Sequence, residues 1–524
     1  MECQNPYKFA GTVLSFGQTA ILLPKIRPDI PGGTELRMRF PVMVESQRIT
    51  IHLSRKDSEF THPFGIGENR CVLFLKDTGI SGSELSGPGA EKEQIMKIGI
   101  VGAGICGLTA AWNLRKTGYE IVIYERDHQP GGLASGFRQP GWQDSVEKYY
   151  HHFFTTDKAL LALVRDLGME DLIRFSRPKS VMYHKGKFYP FDSIPAALLY
   201  PGLGFGLNKI RFGFVGLYLR LFNRWQELEK YTAKEWMTKY AGKSVYRSMW
   251  EPMMVGKFGE RYADQVNMAW LWARLYSRTT QLGTFRGGFQ NFFDLFANRL
   301  KKEGVVFNFG AQVHSITQNQ AGGWRIAADG SEADFDKVLA TISPQVLPKI
   351  APEVGKYYQE QLSGLKSLGA VVLVLSLKKT LSPEGYYWYN LPKDQGFPFL
   401  ALVEHTNFVP ASHFNGETII YAGDYLEPGH ENFSLSKEEL IQKLIPGLKR
   451  INPEFSEDWI VNGWKFATEY AQPIPFVNHS RNIPQFTGPL PNFYFASMSQ
   501  VYPWDRGTNY SIELANRVSS VIQS

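Results

Sequence analysis

Three closely spaced glycines are the first residues in this sequence whose types and spacing suggest a specific chemistry. They form the pattern G-x-G-x-x-G directly after the apolar stretch 97–101 and before the helix-forming stretch 108–114. Gly102 permits a tight turn, Gly104 lets a pyrophosphate approach the backbone, and Gly107 allows the helix to pack closely on the strand. The start of such a helix offers free N–H groups and a partial positive charge to phosphate oxygens. The pattern therefore predicts a dinucleotide-binding site.

An acidic residue and a second glycine pair follow this turn. Residues 121–124 read as a second strand, and Glu125 stands at its end, about 20 residues on, where an acid accepts hydrogen bonds from ribose hydroxyls. Gly131 and Gly132 then allow another loop to approach the pyrophosphate. The residues of this region that we predict to bind the cofactor are Gly102, Gly104, Ile105, Cys106, Gly107, Glu125, Arg126, Gly131, Gly132 and Leu133.

The combination of glycine turn, acid and double glycine resembles the flavin amine oxidase superfamily, which includes protoporphyrinogen oxidases, phytoene desaturases and monoamine oxidases. The resemblance covers the chain from Met96 to its end. It implies an α/β protein with an FAD-binding Rossmann-like domain interleaved with a mixed α+β substrate domain. It also implies an oxidoreductase with non-covalent FAD, in which a substrate C–H or N–H delivers a hydride to flavin N5. The substrate is a small molecule, and the electron acceptor (oxygen, a quinone or another compound) stays open.

Two later segments fit the same resemblance. Val313 lies in a predicted strand where the family uses a valine backbone to contact adenine, although an ordinary sheet strand explains it equally well. Gly287 and Gly288 resemble the family's double glycine near the flavin, where a bare backbone lies against the ring. Arg286 precedes them and either faces an anionic substrate or the flavin, or lies solvated in a surface loop.

Residues 502–510, before the terminal helix, resemble the family's C-terminal flavin segment. The N-terminus of that helix would stabilise the anionic reduced ring. One departure concerns the preceding residues, because the family usually carries Gly-Asp, with the acid on the ribityl phosphate, where this chain has Ser497-Met498. Helix capping by Thr508 or Asn509 is the structural alternative. The predicted cofactor-binding residues of this segment are Asp505, Gly507, Thr508 and Asn509.

Two adjacent histidines stand in the loop after the double glycine, which in the family runs beside the flavin. His151 or His152 would act as a general base near neutral pH, or would orient the substrate. The alternative is that one is a buried hydrogen-bonding residue and the other is solvated. The predicted catalytic residues are therefore His151, His152 and Arg286, and we predict no metal site.

Composition excludes several other classes of protein. The 524 residues carry a net charge of +7 without a dense basic run, which argues against a nucleic-acid partner. Three cysteines, Cys3, Cys71 and Cys106, show no metal spacing and are too few and odd in number for a disulfide framework. No apolar run reaches the roughly 18 residues that span a bilayer. We expect a cytoplasmic protein that is either free or in contact with a membrane surface.

The stretch 211–225 is apolar and contains three arginines. One interpretation is an interfacial helix that reaches lipid or admits an apolar substrate. The other, which the pattern alone favours, is an ordinary packed helix of the substrate domain. The residues predicted to share one helical face are Phe214, Leu217, Tyr218, Leu221 and Trp225.

Residues 1–95 contain no motif that we can assign. Either Met96 is the native start, since Lys92 and Glu93 can be encoded by a purine-rich ribosome-binding sequence in a bacterial gene, or the extension is an additional β-rich module. The predicted division gives segments 96–155, 283–345 and 490–524 to the FAD-binding domain, and segments 156–282 and 346–489 to the substrate domain.

Two further functions are compatible with the motifs. UDP-galactopyranose mutases also carry histidines after the double glycine and use reduced flavin without net redox, and the many Arg and Tyr residues would suit a sugar nucleotide. A non-catalytic, flavin-stabilised scaffold is the third reading, because of the departure at Met498.

Overall fold

The computed structural model describes residues 95–204, 206–277 and 279–524 with their side chains, and four strands nearer the N-terminus. The chain divides into two units, 1–89 and 90–524. In the first unit, antiparallel pairs join Gly11–Phe16 to Thr19–Pro24 and Met38–Val44 to Gln47–Leu53. Cys3 and Cys71 lie outside the described residues. Whether this unit belongs to the native protein stays a hypothesis.

A five-stranded parallel sheet forms the centre of the second unit. In spatial order its strands are Val306–Phe309, Glu120–Glu125, Lys97–Val101, Lys337–Ala340 and Phe493–Phe495. The helices Ile105–Leu114, Gly288–Lys302 and Thr508–Gln523 share one apolar core with this sheet. The α/β class predicted from the sequence is confirmed.

Burial on both faces explains why these strands are continuously apolar. In the strand Lys97–Val101 only Lys97 is exposed. Its Gly99 lies close to a second sheet, since a Cβ there would lie 2.4 Å from Cδ1 of Ile326. Ile326 belongs to a small antiparallel sheet made of Val313–Gln318, Trp324–Ala328 and Ser331–Phe335. The small sheet therefore covers the side of the parallel sheet opposite the helices.

A seven-stranded mixed sheet, the large sheet, dominates the rest of the unit. Its strands in spatial order are Lys187–Pro190, Lys179–His184, Tyr386–Asn390, Ala401–Glu404, Thr418–Leu426, Ser367–Leu377 and Ile460–Pro473. All neighbours are antiparallel except the second and third strands. One face packs on the helix Lys437–Ile451, and the other carries a cluster rich in aromatic residues.

Helices occupy most of the region between residues 158 and 277. They run over Lys158–Asp166, Ile194–Leu199, Leu207–Leu221, Trp225–Leu228, Ala233–Tyr240, Lys243–Val245, Glu251–Ala263 and Met268–Ser277, with Leu347–Ile350 and Lys356–Gly364 later in the chain. Short strands Phe153–Phe154, Ile173–Ser176 and Leu282–Phe285 form a further antiparallel sheet. The parallel sheet thus takes strands from three separated parts of the chain, while the exact domain boundaries stay a prediction.

Candidate active site

The glycine turn lies at the carboxyl end of the central parallel strand. Gly102 has φ +107°, and its N–H donates to the carbonyl of Tyr124 at 2.8 Å. A Cβ on Gly107 would lie 2.0 Å from the carbonyl oxygen of Gly102. The first glycine therefore adopts a conformation that side chains disfavour, and the third lets the helix begin directly against the turn.

The N–H groups at the start of this helix, after Gly104, are not capped by any side chain, and its first turn contains no acid. The double-glycine loop lies against it, since Gly131 N–H donates to the carbonyl of Ala103 at 2.9 Å and a Cβ on Gly132 would lie 3.2 Å from Cα of Gly104. Uncapped N–H groups beside bare backbone are what a pyrophosphate requires. These residues therefore fit the diphosphate of a dinucleotide.

Glu125 is an acid in direct contact with the turn, through the N–H of Ala103. Burial raises the pKa of the Cys106 thiol to about 12, so it is neutral at pH 7. Leu133 lies in the single helical turn Gly132–Ala134. The Arg126 side chain is largely exposed and lies 4.0 Å from Asp127, a weak surface pair.

Glu125 is buried at the end of its strand. Burial raises its pKa, while hydrogen bonds from the N–H groups of Asp127 (3.0 Å) and Ala103 (2.8 Å) oppose that shift. The carboxylate thus braces the glycine turn from the neighbouring strand. Its carbonyl accepts the N–H of Ala311 at 2.9 Å, which places the buried Val313 two residues from the same strand end. Contacts of Glu125 with ribose and of Val313 with adenine stay predictions.

The second predicted glycine pair brings two loops into contact. Gly287 has φ +82°, and its carbonyl accepts both the N–H and the hydroxyl of Ser145 at 3.0 Å. A Cβ on Gly288 would lie 2.1 Å from Oγ of Ser145. The Arg286 side chain is exposed. The geometry thus matches the surface-loop alternative for Arg286, and its catalytic role stays a prediction without structural support.

Glu147 is a candidate functional residue that the sequence analysis did not select. Its carboxylate accepts the N–H of Phe289 at 3.1 Å and the hydroxyl of Tyr421 at 3.3 Å, at the start of the helix Gly288–Lys302. Burial raises its pKa to about 7. A carboxylate at this place complements the positive helix end. The one sequence signal for it is an acid immediately before the run of Tyr and His residues.

His151 has a defined tautomer. Its Nδ1 lies 2.6 Å from the carbonyl of Tyr149, which can only accept, so Nδ1 carries the hydrogen and Nε2 keeps its lone pair. Burial lowers its pKa to about 4, and the nearby charge of Arg506 also lowers it. The imidazole is therefore neutral at pH 7 and suited to accepting a hydrogen bond rather than storing a proton.

His152 and Tyr150 face an aromatic wall. The His152 ring lies 5.3 Å from that of Tyr150 and 5.1 Å from that of Phe154. Tyr150 in turn contacts three rings of the large sheet at centroid distances between 5.3 and 5.8 Å, those of Tyr387, Trp388 and Tyr421. Sequence reasoning missed this wall because its members come from strands far along the chain.

A group of four charged side chains, the charge cluster, lies at the C-terminal segment: Lys257, Arg274, Asp505 and Arg506. Asp505 accepts from Nζ of Lys257 at 2.7 Å, from Nη1 of Arg274 at 2.5 Å and from the indole N–H of Trp270 at 3.1 Å. Burial would raise the pKa of Asp505, but Lys257 and Arg274 hold it well below its usual range. Asp505 is therefore ionised and belongs to a set of internal ion pairs, while its predicted contact with the cofactor stays a prediction.

Arg506 gives the charge cluster an excess of positive charge. Its Nε donates to Gln472 at 3.0 Å, and its guanidinium also donates to the hydroxyl of Tyr425. Burial lowers the pKa of Arg506 to about 10 and that of Lys257 well below its usual value. Two charged arginines thus face one carboxylate, whatever the protonation state of Lys257.

The terminal helix begins after Gly507 without a side-chain cap. Thr508 is buried in its first turn. Asn509 instead accepts the N–H groups of Ala159 (2.9 Å) and Leu160 (3.1 Å), at the start of another helix, and its amide donates to Glu513. Both polar side-chain atoms of Asn509 are thus used inside the protein, and its predicted contact with the cofactor stays a prediction.

Comparison with known proteins agrees with this arrangement. The family model described as flavin containing amine oxidoreductase matches residues 105–504. A 15-cis-phytoene desaturase from Synechococcus elongatus is 28% identical over 163 residues, which is 28% of this chain and 33% of that protein. The match thus spans about a third of the relative's length.

Two solved structures share the fold. A proposed protoporphyrinogen oxidase from Exiguobacterium sp. 255-15 superposes with a TM-score of 0.65 at 18% identity, covering 82% of this chain and 99% of that one. A reduced UDP-galactopyranose mutase gives a TM-score of 0.64 at 16% identity, covering 82% of this chain and 94% of that one.

In the part of the chain that the structure describes, no helix is long and apolar enough to cross a membrane, and no three His, Cys, Asp or Glu side chains form a metal site. The family match confirms the predicted resemblance: this chain belongs to the flavin-containing amine oxidoreductases, and its cofactor is FAD.

Proposed function

We propose that the protein oxidises a small molecule by hydride transfer from a C–H or N–H bond to FAD, in the manner of protoporphyrinogen oxidases and amine oxidases. FAD, when bound, accepts the hydride, and the protein supplies orientation and electrostatics. The observation that carries this proposal is the positive charge cluster beside the uncapped start of the terminal helix. In the family this segment borders the flavin.

Positive charge at this position favours reduction of a bound flavin, because the reduced ring is an anion. Arg506 is held by Gln472 and Tyr425, so its charge is fixed in place before any substrate arrives. Preorganised charge of this kind stabilises a developing anion without reorganisation. The charge cluster would thus raise the flavin reduction potential and the rate of hydride transfer.

His151 has a positioning role in this proposal. Its bare Nε2 can accept a hydrogen bond from a substrate N–H or O–H, while Tyr149 fixes the ring. The aromatic wall around Tyr150 excludes water from the same region and suits a planar or apolar substrate. The protein atoms therefore orient the substrate rather than take its proton.

Spectroscopy and anaerobic titration test the proposal. The purified protein should show the two visible bands of oxidised flavin, and the correct tetrapyrrole, polyene or amine should bleach them without dithionite. A colourless protein that takes up no added FAD would refute the proposal.

The charge cluster gives a second test with a matched control. Arg506→Met should lower the midpoint potential of the bound flavin by about 30 mV or more, which is tenfold in the two-electron equilibrium. Arg506→Lys should recover most of that loss, and Arg165→Met, at an exposed pair with Glu170, should change nothing. Equal flavin midpoint potentials in the wild type and all three variants would refute an electrostatic role of Arg506.

A mutase-like reaction on a sugar nucleotide is the second candidate. The excess positive charge of the charge cluster would also suit a diphosphate. Bleaching by dithionite alone, followed by turnover of UDP-galactopyranose without oxidation of the flavin, would favour this reaction over oxidation.

A further inference from the structure

The helix Leu207–Leu221 exposes a continuous apolar stripe. Its members are separated by three or four residues and so lie on one face, and each is more than half exposed: Leu207 63%, Ile210 55%, Phe214 70%, Leu217 56% and Leu221 76%. The opposite face is already packed, since Leu219 is fully buried and the Phe212 ring stacks on Trp250 at 6.1 Å. The stripe is therefore not the core-facing side of an ordinary amphipathic helix.

A neighbouring helix extends this apolar surface. Ile194–Leu199 packs beside the longer helix, because a Cβ on Gly213 would lie 3.8 Å from Cδ2 of Leu198. It adds Ile194 at 61% exposure and Leu199 at 75%. Trp225, which the sequence analysis placed on the same face, instead packs on Tyr502 at 5.2 Å. Exposed apolar patches of this kind mark interaction sites.

The charged residues of the stripe helix itself are all basic. Between Asp192 and Glu227 the sequence contains no acid, while Lys209, Arg211 and Arg220 fall in the helix. Arg224, just after the helix, pairs with Glu227 at 3.4 Å. An apolar face on a helix whose charged residues are all basic complements an anionic lipid surface, where each Lys or Arg contributes attraction in addition to the burial of apolar area.

A basic cavity lies near the N-terminal end of the same helix. It is shallow and is lined by Lys243, Ser244, Arg247 and Ser248. Asn208 of the stripe helix donates to Ser244 at 3.4 Å, and a Cβ on Gly242 would lie 3.3 Å from Nη1 of Arg211. Three cations and two hydroxyls thus gather near this end of the helix, and such a set of donors fits a phosphate.

We propose that this surface docks the protein on an anionic phospholipid membrane, with the helix Leu207–Leu221 in the plane of the interface and a lipid phosphate in the cavity of Lys243 and Arg247. The helix is about 22 Å long at 1.5 Å per residue, which suits an interfacial element. Docking there would bring lipid-dissolved compounds to the protein.

Vesicle sedimentation of the full-length holoprotein tests the proposal. The protein should pellet with mixed phosphatidylcholine–phosphatidylglycerol vesicles and much less with phosphatidylcholine alone.

The double variant Phe214→Ser/Leu217→Ser should bind the mixed vesicles at least about tenfold more weakly. Lys243→Gln/Arg247→Gln should lose about fivefold per cation together with its preference for phosphatidylglycerol. Matched controls are Tyr357→Ser, at an 82% exposed position, and Lys349→Gln/Lys356→Gln, at exposed lysines.

Hydrogen exchange on the wild-type protein keeps the test independent of variant folding. Peptides covering 207–221 should become protected when vesicles are added, and inorganic phosphate at equal ionic strength should not reproduce this. Three results would overturn the proposal: no vesicle binding, binding unchanged in both double variants, or protection that follows protein concentration without lipid, which would mean that a second copy covers the stripe.

Discussion

The two ends of the proposed flavin site are built by different means. The nucleotide end consists mainly of backbone: residues 102–107 and 131–132 lie close in sequence, and the helix that starts after Gly104 has no side-chain cap. The charge cluster consists of side chains that meet from three helical or loop segments, with Lys257 and Arg274 more than 200 residues from Asp505 in sequence. In the proposed function, the first would bind phosphates through helix geometry, and the second would supply positive charge beside the flavin.

This difference has an energetic consequence. A backbone site depends on steric freedom, so that a single added methyl group is the most damaging change. A buried charge cluster depends on balance, so that removal of one partner leaves an uncompensated charge. Substitutions at the two ends should therefore change different measured quantities. At the nucleotide end the FAD content should fall, and at the charge cluster the stability or the flavin reduction potential should fall.

The largest effect is expected at the nucleotide end. Gly107→Ala places a Cβ 2.0 Å from the carbonyl oxygen of Gly102, and neither the turn nor the helix can move without breaking the site. We expect the purified variant to retain less than about a tenth of the wild-type FAD, measured by visible absorbance per protein. The control is Gly364→Ala, where a Cβ meets no atom within 4 Å. Full FAD occupancy in Gly107→Ala would contradict the backbone account.

The next effect should appear in stability rather than FAD content. Asp505→Asn removes the only carboxylate that pairs with Lys257 and Arg274 among the described residues, and should lower the free energy of unfolding at pH 7 by about 3–5 kcal/mol. Because the folded pKa of Asp505 lies below its unfolded value, this contribution is full above about pH 4 and is lost as the pH falls further.

Urea unfolding of the FAD-saturated protein measures this loss. The exposed Asp334→Asn, at a surface pair with Arg325, serves as the control and should match the wild type. If Asp505→Asn unfolds at the wild-type urea concentration, the charge cluster is not coupled to the fold.

Glu147 bonds the start of the helix Gly288–Lys302 to Tyr421 of the large sheet, and its expected effect is somewhat smaller. Its pKa of about 7 lies above the unfolded value, so the folded state holds a proton more tightly and stability falls as the pH rises from about 4.5 to 7. Glu147→Gln keeps an acceptor for Phe289 N–H but cannot ionise. Relative to the wild type, the free energy of unfolding of this variant should rise by about 3 kcal/mol over that range. The exposed Glu360→Gln should show no such rise. A constant difference across the range would show that Glu147 ionises normally.

The smallest effect concerns His151. Because its pKa is about 4, it should not titrate above about pH 5, and the ratio of flavin reduction rates between wild type and His151→Asn should stay constant within about a factor of two from there to alkaline pH. Stopped-flow reduction across the pH range measures this ratio. If the wild-type rate changes with pH near 6.5 and this change is absent in the variant, His151 would be a general base.

Local sequence patterns were sufficient for the nucleotide end. The glycine spacing, Glu125 and the second glycine pair predict the turn, the helix and the contact of the two loops, because each depends on neighbours within a few tens of residues. Local patterns did not reveal that the side-chain oxygen of Asn509 accepts from a helix start 350 residues earlier in the chain. The apolar stretch 211–225 shows the same limit, because periodicity predicted a shared face but could not tell whether that face is buried or exposed.

By itself, the sequence determined the α/β class, the family resemblance and the flavin, because backbone turns and helix starts are encoded locally. Only the tertiary structure decided which side chains surround Asp505, that Glu147 closes a helix start, that Tyr150 meets the aromatic wall, and that the stripe from Leu207 to Leu221 faces outward. These features depend on contacts between distant segments, and burial, which sets the pKa values and the exposed apolar area, exists only once those segments have packed.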